Sequence, residues 1–245
     1  MNIIDDLIGS IEADALAREV RVGPLLTAVW SREWGLASTL GHGEYNHGTA
    51  FVRDAGSLAG RSALELARLA YSDSPLEAGI GLAAINSLLN VDDSRCVDLN
   101  ARDLLIERGR GKKVALVGHF PFMPDLREAV GQLWVIELEP RPGDVTAEEG
   151  ETLIPRADIV AITGSAFINH TLQRLLAVCR RESTVMVLGP TTPLSPVLFD
   201  YGVDIISGTR VVDPERALRC LSEGATFRQM QGVHLLTMQR QAKRG

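Results

Sequence analysis

The sequence predicts an α/β protein in which a small α+β domain precedes a domain built on a parallel sheet. Two observations predict this fold class. From about residue 114 onward, apolar runs of strand length alternate with helical segments, the pattern of a parallel sheet flanked by helices. Before about residue 92, a helix, a pair of strands and two further helices follow one another without that alternation. We therefore expect domains at residues 1–92 and 93–245.

The first domain is expected to begin with a helix, because apolar residues recur at helical spacing over the first sixteen positions. Two strands should follow at residues 25–31 and 34–40, joined by a tight turn at Arg32-Glu33. Residues 50–54 are a candidate third strand, and residues 64–70 a helix.

An apolar helix at residues 76–89 is the clearest element of this domain. Ser74 is a good N-cap, Pro75 suits the first helical position, and Glu77 would complete a capping box. Almost no polar residue interrupts the run that follows, so the helix should be buried, partly against the second domain. Asn90 is the expected C-cap.

The second domain carries the alternating pattern. A linker at residues 91–100 and a short helix at 103–108 should precede it. Its strands are expected at residues 114–118, 133–138, 158–162, 184–188 and 203–206. Its helices are expected at residues 123–130, 168–181 and 213–222.

Small or polar residues follow each of these strands. In an open parallel sheet the carboxyl ends of the strands lie along one edge, where ligands bind. We therefore expect a crevice there that binds a small polar or anionic ligand. The residues expected to contact it are Gly118, His119, Phe120, Glu137, Thr163, Gly164, Ser165, Asn169, Pro190, Thr191, Thr192, Ser207 and Gly208, with Asn86 closing the crevice from the first domain.

His119 is the strongest single candidate, because it follows the first strand of the sheet and its ring can donate, accept, titrate or bind a metal. The competing interpretation is a structural histidine hydrogen-bonded within a loop. Glu137 and Glu139 lie about 20 residues further on, where a ribose-binding acid sits in dinucleotide folds; a solvated strand end is the alternative. The glycine-rich dinucleotide fingerprint is absent.

Hydroxyl groups near residues 163–171 open a predicted helix and suit an anion, although plain N-capping by Ser165 or Asn169 explains them as well. The loop at 189–196 contains three prolines and should be rigid. No Ser–His–Asp order, zinc-protease helix or phosphate-binding loop occurs, and Ser165 is not in a nucleophile elbow. No catalytic residue can therefore be named.

A metal site built by the protein alone is not expected. His42, Glu44 and His47 lie close together in sequence but in a loop without periodicity, so a solvated loop is the simpler interpretation. The cysteines are three and scattered, without the paired spacing of a zinc site. If a metal is involved, it should arrive with the ligand, or be held by His119 and one or two carboxylates with open positions.

The charge pattern excludes some partners. The formal net charge is −6, and the first ninety residues contain no lysine. The nearest basic stretch, residues 108–113, is interpreted as a solvated helix end, so nucleic-acid binding is not expected. No apolar run reaches the roughly 18–20 residues of a membrane span, and the start lacks a signal peptide. We expect a cytoplasmic protein without membrane contact, and leave open whether it forms a homodimer.

Two stretches together resemble a known family. One is the run at 74–86, Ser-Pro-Leu-Glu-Ala-Gly-Ile-Gly-Leu-Ala-Ala-Ile-Asn. The other is the run at 157–171, Ala-Asp-Ile-Val-Ala-Ile-Thr-Gly-Ser-Ala-Phe-Ile-Asn-His-Thr, continued by residues 189–196 and 202–204. These are similar to the heavy-metal-chelation domain family of bacteria and archaea, and the resemblance covers essentially the whole chain.

The resemblance implies a small domain similar to the amino-terminal domain of enolase, followed by a Rossmann-like domain, with a ligand site between them. It also implies a role in heavy-metal chelation or in anaerobic cobalamin-related metabolism. It implies no particular reaction and no particular cofactor. A non-catalytic module that senses a metabolite or a metal complex is the alternative function.

Overall fold

A computed structural model describes residues 2–41 and 50–241. A three-stranded antiparallel sheet lies beside an eight-stranded, mostly parallel sheet. This arrangement confirms the predicted α/β fold class. The loop that contains His42, Glu44 and His47 lies outside the described residues.

The first part of the chain forms the smaller sheet and the helices that cover it. Its elements are α1 (Ile3–Gly9), β1 (Glu19–Val22), β2 (Leu26–Trp30), β3 (Trp34–Ser38), α2 (Ala63–Ala67), a 3₁₀ helix (Arg68–Tyr71) and α3 (Pro75–Leu88). The expected hairpin is confirmed, with Trp30 opposite Trp34. The first helix is shorter than expected, β1 was not expected, and residues 50–54 form bends and turns instead of a strand.

Helix α3 begins at Pro75 and is buried as predicted, but the predicted capping box is wrong. The Ser74 hydroxyl donates to the Phe51 carbonyl instead of capping the helix, and the Glu77 carboxylate accepts from Arg53. Both groups are used by a neighbouring segment, a tertiary choice that local sequence does not reveal. The C-cap is Leu89, one residue before the expected Asn90.

The second part of the chain forms the larger sheet. Its strands are β4 (Cys96–Val97), β5 (Lys113–Val117), β6 (Gln132–Glu137), β7 (Val145–Thr146), β8 (Ile159–Thr163), β9 (Thr184–Leu188), β10 (Ile205–Val211) and β11 (Val233–Gln239). Its α-helices are α4 (Ala101–Gly109), α5 (Met123–Ala129), α6 (Ala147–Leu153), α7 (Leu172–Ala177), α8 (Val197–Asp200) and α9 (Pro214–Ser222). Four 3₁₀ helices lie at Asp93–Arg95, Ile154–Arg156, Gly164–Phe167 and Phe227–Gln229.

All five predicted strands are present. The elements β7, β11, α6 and α8 were not predicted, and three further details differ from prediction. The expected linker contributes β4, an edge strand that pairs with β11. The expected helix at 168–181 is a 3₁₀ helix followed by the short α7. The expected loop at Ser207-Gly208 is instead part of β10, because β11 pairs antiparallel with β10 along its whole length and keeps it extended.

The strand order β4-β11-β10-β9-β8-β5-β6-β7 places a topological switch between β5 and β8. The chain leaves β5 towards β6 on one side, then returns to β8 and continues towards β10 on the other. A crevice opens at the carboxyl ends of the strands at such a switch. The structure therefore places the loops after β5 and β8, which carry His119 and Gly164, at the position where α/β sheets bind ligands.

One cluster of buried apolar side chains runs from the first part into the large sheet, and includes residues of α1, α3, β8 and β9. At the amino end, α1 contacts α8, and the Tyr201 hydroxyl donates to Asp6 at 2.6 Å. Because the apolar core is continuous, the first part holds a fixed position over the edge of the large sheet.

Candidate functional site at the carboxyl edge of the large sheet

His119 lies between two carboxylates at the switch point. Its Nδ1 is 2.7 Å from Glu137 Oε1, and its Nε2 is 3.1 Å from Asp144 Oδ2. The side chains of His119 and Glu137 are each 23% exposed, whereas that of Asp144 is 5% exposed. We call these three residues the His119 corner.

Each residue of the corner is placed by a different strand end. His119 follows β5, Glu137 ends β6, and Asp144 comes just before β7. A turn returns Asp144 to the site: its backbone N–H donates to the Arg141 carbonyl at 2.9 Å, and its carboxylate accepts from the Arg141 N–H at 2.8 Å. Asp144 is therefore fixed by its own loop before it meets the histidine.

The corner has an unusual proton requirement. A neutral imidazole has one donor nitrogen and one acceptor nitrogen, whereas an ionised carboxylate can only accept. Both contacts of His119 are hydrogen bonds only if the ring carries two protons, or if one carboxylate is protonated. A ligand that replaces either carboxylate contact therefore changes which hydrogen bonds the ring makes.

Aromatic and threonine side chains lie next to the ends of β5 and β8. Phe120 and Phe122 stack with ring centroids 5.1 Å apart. Gly118 turns the chain after β5 with a φ of 101° and lies against Thr163. The Thr163 hydroxyl accepts from the Ser165 N–H at 3.3 Å and so caps the 3₁₀ helix after β8.

A second polar group joins the two parts of the chain. Thr191 Oγ1 accepts from the Ser38 N–H at 2.8 Å and donates to Ser38 Oγ at 3.1 Å, and Ser165 Oγ donates to Ser38 Oγ at 3.3 Å. Asn86 Nδ2 donates to the carbonyls of Leu36, at 2.8 Å, and Thr191, at 3.2 Å. We call Ser38, Asn86, Ser165 and Thr191 the seam. Its hydroxyls bind the other part of the protein.

Within the described residues, two oxygens at the seam have no hydrogen-bond partner although they are buried, Asn86 Oδ1 and Thr192 Oγ1. Thr192 closes tightly on Gly164: a Cβ at position 164 would lie 2.6 Å from Thr192 Oγ1 and 2.8 Å from its backbone N. Only glycine fits there without a shift of the loop after β9. The seam is therefore closely packed yet retains unused hydrogen-bonding capacity.

The other predicted contacts are placed differently. Ser207 lies within β10, and its hydroxyl pairs with Thr237 Oγ1 at 2.7 Å; Gly208 packs against Thr192 and Leu194. Asn169 Oδ1 accepts from the N–H and hydroxyl of Thr171 in a local turn. Helix α7 begins after Thr171 without a side-chain cap, so the alternative of N-capping by Asn169 is wrong. Pro190 is half-buried in the rigid loop after β9. Ligand contacts by these four residues remain predictions.

The described residues do not fit a metal cage built by the protein. None of their His, Cys, Asp and Glu side chains form a group of three that could hold one ion. In the His119 corner, each carboxylate faces a different ring nitrogen, so the three groups do not converge on one point. All three cysteines are free. Burial raises the pKa of the Cys179 thiol to about 12 and also raises the pKa of Cys96, which disfavours the thiolate that metals bind.

Two residues of these sites were missed by the sequence analysis. Asp144 had a signal, because Pro142-Gly143 predicts a turn that could bring the next residue back to the strand ends. Ser38 had none, because its role depends on how the two sheets pack. Among the described helices, none is long and apolar enough to cross a membrane.

Two family models match the chain, at residues 4–89 and 100–238, and both are described as "Putative heavy-metal chelation". The chain is 28% identical over 161 residues to an uncharacterised protein of Methanocaldococcus jannaschii. That match covers 63% of this chain and 62% of the relative's length.

Two crystal structures of proteins of unknown function, from the family of the second model, resemble this fold over nearly its whole length. The protein from Desulfitobacterium hafniense DCB-2 is 29% identical with a TM-score of 0.80, and the match covers 97% of both chains. The protein from Pyrococcus horikoshii is 20% identical with a TM-score of 0.79, covering 97% of this chain and 98% of that one. At 20% identity, the similarity to the Pyrococcus horikoshii protein supports the fold alone.

Proposed function

The chain belongs to the heavy-metal-chelation family, and from that premise we propose that it binds a small polar ligand at the His119 corner, as part of metal-chelator or cobalamin-related metabolism. One observation carries the proposal: a partly exposed histidine sits between two carboxylates at the switch point of the sheet. Polar side chains at the switch point of an open parallel sheet lie where such sheets bind ligands.

The seam and the His119 corner would have different roles. The seam positions the first part over the sheet edge, since its hydroxyls already bind across the junction. The His119 corner supplies the contacts that the ligand uses, because His119 and Glu137 remain accessible. Asp144, held by the Arg141 turn, orients the ring from its buried side.

The corner also narrows the ligand class. With either proton arrangement that satisfies both contacts, the two carboxylates and the histidine carry a net negative charge, so an anionic group is disfavoured next to Glu137. A hydroxyl, an amine or the positive side of a metal complex suits Glu137 better. Nearby, Phe120 and Phe122 offer apolar surface to the ligand body.

A heavy metal would then enter bound to the ligand, since the described residues offer no converging donor set. We expect protein purified without added metal to contain less than one transition-metal ion per chain. Elemental analysis before and after dialysis against a chelator measures this. One chelator-resistant zinc, iron or nickel ion per chain would contradict it.

The binding proposal is tested by thermal shift with four ligand classes: divalent metals, nucleotides, S-adenosylmethionine and tetrapyrrole precursors. At least one class should raise the Tm of the wild type and of the control Glu128→Gln, an exposed acid on α5. The same class should give no shift in His119→Gln or Glu137→Gln. Equal shifts in all four proteins, or no shift in the wild type, would refute the site.

The alternative, a sensing module without catalysis, is separated by product analysis. A ligand that binds at the corner and is then incubated with the protein either changes chemically or is recovered intact. Conversion that depends on His119 supports an enzyme. Tight binding with full recovery supports the sensing module.

A further inference from the structure

A cavity lies beside the segment that follows β8. It has a volume of about 420 Å³ and lies between the amino-terminal helix, the segment after the 3₁₀ helix at Arg68–Tyr71, and the start of α7. The nearly buried side chains of Ile4, Phe167 and Leu172 line it, and Tyr71, Asp73 and His170 form its exposed rim. No group of the His119 corner or of the seam lines it.

His170 occupies a strained backbone position at this rim. Its φ is 59°, a left-handed conformation that is uncommon outside glycine. The turn is a helix-terminating motif: the Thr171 N–H donates to the Ala166 carbonyl and the His170 N–H to the Phe167 carbonyl. Glycine or asparagine usually fills this position. A histidine at this position has a less favourable backbone conformation than glycine, so we expect its side chain to make an interaction that offsets the difference.

One ring nitrogen of His170 makes a hydrogen bond within the protein, and the other is available to a ligand. Nε2 lies 3.0 Å from the Ser72 carbonyl, which can only accept, so Nε2 carries the hydrogen. In the neutral ring this leaves Nδ1 as an acceptor. The hydrogen bond to Ser72 also ties the loop after β8 to the first part of the chain.

The other polar groups of the rim are acceptors too. Among the described residues, Asp73 has no ion pair and accepts no hydrogen bond, so its carboxylate oxygens are available to a ligand. The Tyr71 hydroxyl donates to Asp5, and burial together with that hydrogen bond raises the pKa of Tyr71 to about 12, so the phenol stays neutral. Its oxygen therefore retains lone pairs for a donor. A carboxylate, an imidazole nitrogen and a phenol oxygen above an apolar floor recognise a positively charged donor with a hydrocarbon body.

We propose that this cavity is a separate binding site for an organic ammonium ion. Asp73 pairs with the ammonium group, His170 accepts a further hydrogen bond from it, and the hydrocarbon body packs on Ile4, Phe167 and Leu172. The site is independent of the function proposed for the His119 corner, from which it differs in every residue.

Two matched probes test the role of charge: phenethylamine and its uncharged counterpart 2-phenylethanol. Binding to the full chain is followed by two-dimensional NMR titration. Phenethylamine should bind at least about tenfold more tightly than the alcohol, the usual scale for one charged hydrogen bond. Shifts should concentrate on residues 71–73 and 166–173. Equal binding of both probes, or binding of neither, overturns the proposal.

Variants locate the site. Asp73→Asn is an exposed change that should fold normally, lower phenethylamine affinity about tenfold and leave the alcohol unaffected. Asparagine also adopts the left-handed conformation readily, so His170→Asn should fold normally, and it should also weaken the binding of phenethylamine. The exposed control Glu128→Gln should bind the amine like the wild type. If Asp73→Asn and His170→Asn bind the amine as tightly as the wild type, the assignment is wrong, and the His119 proposal is unaffected.

Discussion

Glu77 and Glu137 are both carboxylates bound to a basic partner, and they teach different lessons. Glu77 is 3% exposed and accepts from the Arg53 backbone and guanidinium and from the Ser72 hydroxyl. Glu137 is 23% exposed and has one strong contact, to His119. Both carboxylate oxygens of Glu77 accept hydrogen bonds from within the protein. Glu137 keeps bonding capacity for something outside the protein, so we assign stability to the first and binding to the second.

The largest effect should come from Glu77→Gln. The hydrogen bond from Arg53, followed by that from Ser72, lowers the pKa of Glu77 from 4.5 to about 2. A carboxylate depressed this far contributes about 3 kcal/mol near pH 7, and glutamine should forfeit most of it. Urea unfolding measures the loss. Ligand binding at the His119 corner should be unchanged, and a large loss of binding would break the contrast between the two carboxylates.

The ion pair of Glu77 with Arg53 also makes the free energy of unfolding depend on pH. Because the folded pKa lies below the ordinary value, the stabilisation is fully present above pH 4.5 and is lost as the pH falls from 4.5 to about 2. The free-energy difference between wild type and Glu77→Gln should therefore shrink over that range. Unfolding curves of both proteins at several pH values measure it. A difference that stays constant down to pH 2 would mean that Glu77 is not the responsible carboxylate.

The seam should show an intermediate effect through Thr191→Val. Valine retains the shape of threonine but removes the acceptor for the N–H of the half-buried Ser38. A donor that loses its partner at such a position should cost between about 1 and 2 kcal/mol. Thermal unfolding compared with the exposed control Thr152→Val measures it. If both variants lose the same small amount, the seam does not hold the two parts together.

The smallest effect on stability should come from His119→Gln. The glutamine amide can still donate to one of the two carboxylates, and Asp144 keeps its hydrogen bond from the Arg141 N–H, so the loss should be about 1 kcal/mol. Stability should therefore hardly change while ligand binding is lost, the reverse of Glu77→Gln. A stability loss as large as that of Glu77→Gln would turn the corner into a structural element, and the assignment of function to it would fail.

How much was predictable depends on whether a feature is local. The strands of the parallel sheet were predicted because each is a buried apolar run, and the hairpin because its turn is short. β4 is only two residues long and exists because β11 pairs with it, so nothing local announces it. Ser74 and Glu77 fit a capping box by spacing, yet the chain near Arg53 competes successfully for both groups.

The candidate site follows the same rule. His119 and Glu137 were found because they end strands, and strand ends of a parallel sheet share one edge. The contact of His119 with Asp144 depends on the turn at Arg141, and the role of Thr191 depends on Ser38, which lies 153 residues away. Position in the sheet was predictable, whereas hydrogen-bond partners were not.

The placement of α1 has a consequence for how the chain folds. A helix of seven residues has little stability by itself. Its tertiary partners include α8 and Tyr201, and the hydrogen bond from Tyr201 to Asp6 spans 195 residues. Closing so long a loop is entropically costly, so α1 should dock late, after the large sheet has formed. A fragment that ends near residue 92 should therefore leave α1 unprotected in hydrogen exchange, whereas the full chain should protect it.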